Sequence, residues 1–303
     1  MQTLESLKRK IGSAEDLQTV VRTMKTLAAV SIRQYETAAE SLAEYAATVD
    51  LGIAMLRWNA SGEWRDTGKR LDGATGAIVF GSDQGLCGPF NDHLVQYMDE
   101  QWEEDRQAAH RSANRWPCLA IGTRIAARLE DGGYVVDEWL SNASSSTGIA
   151  PLVHELLERI DRWQRERRLG RILLFHNRRV SAASYPPHGR SLLPIDRSVI
   201  ESHAVRRWPS RSLPLVTLDA ARFFSRLVQQ YLFVTLFRAC AESLAGENAS
   251  RIASMQSAER SIEERLAELR GEYHQLRQTS ITEELLDVVT GFEVLRDGGA
   301  SAP

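Results

Sequence analysis

From Leu4 to Leu56, apolar residues return at alternating steps of three and four, through Leu7, Ile11, Ala14, Leu17, Val21, Met24, Ala28, Ile32 and Tyr35 and onward to Ile53. That rhythm is a helical seam of the coiled-coil kind. Nothing interrupts it, since the first proline is Pro89 and the stretch contains only two glycines, Gly12 and Gly52. At 1.5 Å per residue such a helix runs roughly 80 Å. The C-terminal part repeats the pattern from Leu218 through Tyr231, Phe237, Leu244, Asn248, Met255, Leu266 and Leu269 to Leu276, and residues 215 to 302 contain no proline. A helix from Leu218 to Thr290, started by a cap at Thr217 or Asp219, would run about 110 Å. A compact domain cannot house helices of this length, so the two seams are expected to pack on each other as an antiparallel coiled coil. Paired from the intervening domain outward, the second helix outruns the first by roughly 20 residues and leaves a bare tip.

Between the seams the grammar changes. Short apolar runs at 76–80, 118–122, 134–140 and 171–177 alternate with helical stretches near 89–108, 123–131 and 148–168. This β-α alternation predicts an inserted Rossmann-like α/β domain of about five strands. Tyr185-Pro186-Pro187 and the turn-rich segment up to Pro214 suggest a last edge strand and a linker back to the second helix. The fold class is therefore α/β with a long antiparallel coiled coil. The chain is expected to divide into an N-terminal coiled-coil helix (1–58), an α/β domain (59–214) and a C-terminal helix with its projecting tip (215–303).

Composition narrows the function classes. A formal net charge of -3 over 303 residues gives no basic field for nucleic acid or an anionic membrane surface. No window of about 20 apolar residues is present, so any membrane contact is expected to be indirect. Only four of the 37 basic residues are lysine, a bias that fits genome composition better than function. Cys87, Cys118 and Cys240 lie far apart, and the seven histidines form no metal or triad motif, so neither metal, disulfide, cofactor nor catalytic residue is expected. The N-terminus has neither a signal core nor the look of a transit peptide, which suits a protein of the cytosolic side.

One turn sits where a phosphate would. Gly81-Ser82-Asp83-Gln84-Gly85-Leu86-Cys87-Gly88 follows a strand and precedes a helix. It lacks the Lys-Ser/Thr of a P-loop and the dinucleotide glycine spacing, so a tight strand-to-helix turn is the stronger reading. The carboxylates Glu259, Glu263, Glu264 and Glu268 are expected to be solvated partners in i, i+4 pairs. The sequons at Asn142 and Asn248 carry no weight without a secretory signal.

Leu7 to Ile11 with Val21 to Ala29, the turn from Ser82 to Asn91, and Glu247, Arg251, Met255, Tyr273, Arg277-Gln278, Ser280-Ile281-Thr282 and Glu284-Leu285 are three separated stretches that together resemble the gamma-subunit family of F-type ATP synthases. Leu7-Lys8-Arg9-Lys10-Ile11 with Val21-Arg22-Thr23-Met24-Lys25-Thr26-Leu27-Ala28-Ala29 is similar to the family's N-terminal pattern. The turn from Ser82 to Asn91 resembles its first βα turn, with Gln84, Pro89 and Phe90 departing. Glu247, Arg251, Met255, Tyr273, Arg277-Gln278, Ser280-Ile281-Thr282 and Glu284-Leu285 fall on its most recognisable helix. Glu259, Phe292 and the extension from Arg296 to Pro303 depart from the family, and the central domain matches poorly, which points to a divergent bacterial branch.

The resemblance implies a non-catalytic rotor shaft. Its tip (about 276 to 295) would sit in the sleeve of the alpha and beta subunits, and its α/β domain would stand with the epsilon subunit on the membrane c-ring. It would thus be a peripheral protein at the cytoplasmic face of a bacterial inner membrane. The implied contacts to the alpha/beta ring are Met24, Cys87, Arg251, Arg277, Gln278, Thr282, Leu285 and Val289, although seam packing alone also accounts for an apolar residue at Met24. Two other classes stand beside this one: a coiled-coil scaffold or regulatory protein with a non-catalytic α/β domain, and a nucleotide hydrolase using the Gly81–Gly88 turn. The exposed apolar residues expected at Ile281, Leu285, Leu286, Val288, Val289 and Phe292 favour a tip that wants a partner.

Overall fold

A computed structural model describes residues 3–59, 74–109, 115–178, 180, 184–195 and 219–298. The expected linkers, the Thr217 cap, the seam position Leu218, the side chains of Ala221 and of Phe292 onward, and the last five residues lie outside the described residues. The elements run α1 (Leu4–Ser41), α2 (Ala43–Asn59), β1 (Ala74–Phe80), α3 (Phe90–Ala109), β2 (Pro117–Ile121) and α4 (Thr123–Asp131). They continue with β3 (Val135–Leu140), α5 (Ile149–Arg167), β4 (Leu169–Asn177), β5 (Pro187–Leu193) and α6 (Ala220–Gly298). The chain divides into a smaller unit, Met1–Thr26 with Ser254–Pro303, and a larger one, Leu27–Ala253.

The larger unit is built on a five-stranded sheet of order β3-β2-β1-β4-β5, parallel except for the antiparallel edge strand β5. Covered on both faces, β1 and β4 are apolar almost throughout, as buried parallel strands must be. Alternation along β1 assigns the two cores. Ala77 and Val79 face α3 and α4, where Leu94, Met98, Ile125 and Leu129 pack. Ile78 and Phe80 face the other way, against α5 and the paired helices, with Leu156, Ile160, Leu236, Phe237 and Cys240. The coiled coil in this unit is thus one of the sheet's two covering layers. Its helices pair antiparallel: Gly52 lies against Leu227, and Tyr45 donates to the Gln230 side chain at 2.6 Å.

Two expectations need correction. The seam does not form a single rod from residue 1 to 58, because Leu42 separates α1 from α2. The Ser41 hydroxyl donates to the Ala38 carbonyl at 2.8 Å, a local bond that competes with the backbone ladder and bends helices. By contrast α6 is one 79-residue helix. It opens on Asp219, whose carboxylate accepts from the Arg222 amide at 3.3 Å.

The second correction concerns the smaller unit. Leu7, Val21, Met255, Leu266 and Leu269 are buried as the seam requires, but Leu17 is 57% exposed and Gln18 takes its place. Gln18 donates to Glu263, Lys25 reaches Glu259 at 2.5 Å and Arg22 reaches the same carboxylate at 2.8 Å. The sequence could not rank Leu17 against Gln18, since both lie one residue from the ideal line. The carboxylates across the seam decide it, because turning Leu17 inward would take these partners away from Glu259 and Glu263. These two glutamates therefore bridge two helices rather than pairing within one turn of their own. Farther along, Arg270 binds Glu15 at 2.6 Å, which confirms the antiparallel register.

Candidate partner-contact surfaces

Strand order reverses between β1 and β4, so the carboxyl end of β1 is the topological switch point, where an open α/β sheet usually receives its ligand. The Gly81–Gly88 turn lies there, and its polar groups are already engaged. The Asn91 amide donates to Ser82 Oγ at 2.8 Å and accepts from the Ser82 N–H at 3.1 Å. Asp83 accepts from the Thr123 amide at 2.8 Å and from the Asn142 amide at 2.6 Å, while the Asn142 side chain donates to the Gly81 carbonyl at 2.7 Å.

From the long helix, Ser243 Oγ donates to the Phe80 carbonyl at 3.1 Å and Ser250 Oγ to the Cys87 carbonyl at 2.6 Å. Arg251 reaches toward the Gly85 carbonyl at 3.5 Å, binds Glu247 at 2.6 Å and donates to Asn248 at 3.1 Å. A stripe of Ser243, Glu247, Ser250 and Arg251 on one face of α6 therefore plugs the switch point.

The glycines here serve packing. A Cβ at Gly81 would come within 2.3 Å of Ile125, and at Gly122, where φ is 115°, within 2.6 Å of the Ser82 carbonyl. Burial raises the Glu247 carboxyl above its ordinary value, opposed by the Arg251 guanidinium and assisted by Asp83. Two carboxylates and a plugging helix do not suit a phosphate, so a nucleotide hydrolase at this turn does not fit the geometry. Cys87 is buried, with its Sγ 3.6 Å from Ser82 Oγ, and burial pushes its thiol up, which makes it a packing residue rather than a nucleophile. Beside it Leu86, at φ 64°, stands 60% exposed and is the turn's outward-facing apolar side chain.

In the smaller unit the start of α1 lies alongside Glu272 to Glu283: Thr3, Leu4 and Leu7 share a surface groove with Leu276, Thr279 and Ser280. Past that point α6 has no companion among the described residues of this unit, and every residue from Ile281 to Thr290 is exposed. Leu285, Leu286, Val288 and Val289 are each more than half exposed. Thr282 and Thr290 turn their hydroxyls back to the helix carbonyls of Gln278 and Leu286.

The residues singled out from the sequence thus fall into three settings. Arg277, Gln278, Thr282, Leu285 and Val289 are exposed, Met24 is half-buried, and Cys87 and Arg251 are buried within the larger unit. Sequence reasoning missed Ser243, Ser250, Asp83 and Asn142. The signal for the two serines was present, because polar residues at i, i+4, i+7 and i+8 interrupt an otherwise apolar stretch of helix. Asn142 was set aside as a chance sequon, yet it ties β3 to the turn.

Among the described residues no group of His, Cys, Asp or Glu could hold a metal ion, and no helix is long and apolar enough to cross a membrane. The sequence pattern of the family described as ATP synthase matches residues 3–295. Two curated relatives, each named ATP synthase gamma chain, come from Anaeromyxobacter sp. (strain K) and Syntrophus aciditrophicus (strain SB). Each is 27% identical and aligns over 98% of this chain and 100% of its own. Among solved structures, a chain of the Euglena gracilis mitochondrial ATP synthase OSCP/F1/c-ring assembly superposes with a TM-score of 0.67 at 15% identity, over 99% of this chain and 97% of that one. A chain of the Tetrahymena thermophila mitochondrial ATP synthase central stalk/c-ring gives 0.54 at 19% identity, over 79% of this chain and 99% of that one. At such identities the structural likeness speaks for the fold.

Proposed function

From the premise that the chain belongs to the ATP synthase family, we propose that it is the gamma subunit, the central rotor shaft of an F-type synthase. It couples ion flow through the membrane c-ring to ATP synthesis or hydrolysis in the alpha/beta ring and is not itself the catalyst. The observation that carries this reading is the far end of α6. Its exposed apolar residues, Leu285, Leu286, Val288 and Val289, present a surface that water disfavours and a surrounding sleeve would cover.

Within this reading, residues 1–58 and 215–303 form the shaft and residues 59–214 the foot, which meets the epsilon subunit and the c-ring. Arg277, Gln278, Thr282, Leu285 and Val289 touch the ring directly, and Met24 meets its lower lip. Cys87 and Arg251 act at the ring through the turn they hold in shape, with Leu86 as its outward apolar side chain. One asymmetric shaft inside three chemically alike beta subunits favours a different conformation in each, so their nucleotide affinities differ at any given angle. In this reading the protein works peripherally, at the cytoplasmic face of a bacterial inner membrane.

The test is a truncation. Removing residues 286–303 is expected to leave the isolated chain folded by circular dichroism while weakening assembly with alpha and beta subunits and ATP-driven ion pumping. Unchanged pumping by the truncated complex would overturn the tip assignment. Failure of alpha, beta and epsilon subunits to co-purify with the full chain from native membranes would overturn the shaft itself.

A further inference from the structure

At the edge of the sheet in the larger unit, β4, β5, α2 and α6 enclose a cavity of about 190 Å³ that none of the roles above uses. That is room for a tetrahedral oxyanion with a few waters, and it falls below the roughly 300 Å³ of sites that take drug-sized molecules. Its lining sets three guanidinium groups against two carboxylates. Arg178, Arg190 and Arg238 border it together with His176 and His188, and the acidic residues on its wall are Asp50 and Glu242.

The three arginines form no ion pair among the described residues. Arg190 is aimed by a neutral partner, donating to the Tyr231 hydroxyl at 2.7 Å. His176 is 4% exposed; its Nε2 lies 3.2 Å from Glu242, and its Nδ1 has no hydrogen-bond partner. A buried ring nitrogen needs a hydrogen-bond partner, and among the described residues Nδ1 has none. His188 stands edge-on to His176, with ring centroids 5.6 Å apart.

We propose that this cavity binds a phosphate group, either free phosphate or a phospholipid headgroup, with Arg190 and Arg238 as its principal charge-assisted donors. Guanidinium groups match phosphate oxygens in geometry and hold their charge when partly desolvated. The electrostatics agree with the geometry. The His188 imidazolium is disfavoured chiefly by burial and then by His176, Arg178 and Arg190, with Glu242 opposing, so the neighbouring guanidiniums add to a shift that burial leads. This inference rests on the larger unit alone and stands whether or not the shaft assignment does.

The experiment follows the His188 ring by NMR in the full chain, titrated with inorganic phosphate at constant ionic strength against chloride. Phosphate is expected to move the His188 titration to higher pH, because a bound anion favours the protonated ring and offsets the neighbouring cations. Arg238→Gln, at an exposed position that leaves the fold intact, and Arg190→Gln are each expected to weaken phosphate binding by a factor of about ten or more. Phosphatidylglycerol vesicles, compared with phosphatidylcholine vesicles, distinguish the sources. If the anionic vesicles produce the shift and free phosphate does not, the group is a lipid headgroup. If neither shifts His188, or if both variants bind as well as the unchanged chain, the site does not exist.

Discussion

The long helix α6 lives two lives. From Tyr231 to Ala245 nearly every residue is buried, because the helix is at once half of a coiled coil and a covering layer for the sheet. From Ser254 onward it buries only Met255, Leu266 and Leu269 fully among the described side chains, and after Ile281 none. The same secondary structure is thus held by two kinds of force. The first segment is fixed by a hydrophobic core and a plug of buried polar bonds. The second relies on helix propensity, a narrow seam and cross-helix ion pairs, and from Ile281 to Thr290 every residue is exposed.

The sharpest way to break that contrast is at the plug. Arg251→Met leaves the Glu247 carboxylate buried without its cation, and is expected to cost about 3 to 5 kcal/mol in urea unfolding. Adding Glu247→Leu removes the stranded charge and should restore most of the loss; a double variant as unstable as the single one would mean that the pair is not the origin of the effect. Next comes the apolar layer. Leu236, fully buried between helix and sheet, should cost about 2 to 5 kcal/mol when changed to Ala, as read by chemical denaturation.

A smaller effect, opposite in sign between the two segments, is expected from pH. The Glu259 carboxyl is held below its ordinary value of 4.5, chiefly by Lys25 and then by Arg22. Its contribution to helix pairing is present above 4.5 and is lost as pH falls through the lowered value. Glu247, raised by burial, contributes most when protonated, below 4.5, and its contribution fades as pH rises toward its folded value. Amide exchange followed downward from neutral pH should therefore show residues 254–270 opening first, and Glu259→Gln should remove that acid sensitivity. Least of all is expected at the tip. Leu285→Ala should shift the stability of the isolated chain by no more than about 0.5 kcal/mol, while lowering affinity for the alpha/beta ring.

Much of this contrast is legible in the residues. The strand and helix positions follow the sequence pattern to within a few residues, because buried parallel strands and long seams both write strong apolar periods. The exposed tip is also readable, since hydrophobic residues at 285, 286, 288 and 289 fall on one broad helix face beyond the reach of the first seam. The plug was not. Its serines, Glu247 and Arg251 are each ordinary residues for a helix surface, and only the sheet brought against that surface turns them into buried partners for Phe80, Gly85 and Cys87.

By itself, then, the sequence determined local geometry: which segments are helices, which are strands, and that one helix ends in an apolar surface. Period and propensity are properties of neighbouring residues, and the chain carries them before it folds. Tertiary structure alone decided that Gln18 and Lys25, not Leu17, face Glu263 and Glu259. It alone set three arginines and two histidines around one cavity. Those outcomes depend on charges and volumes supplied by residues up to 250 positions away, and no local pattern can encode a partner that only folding brings near.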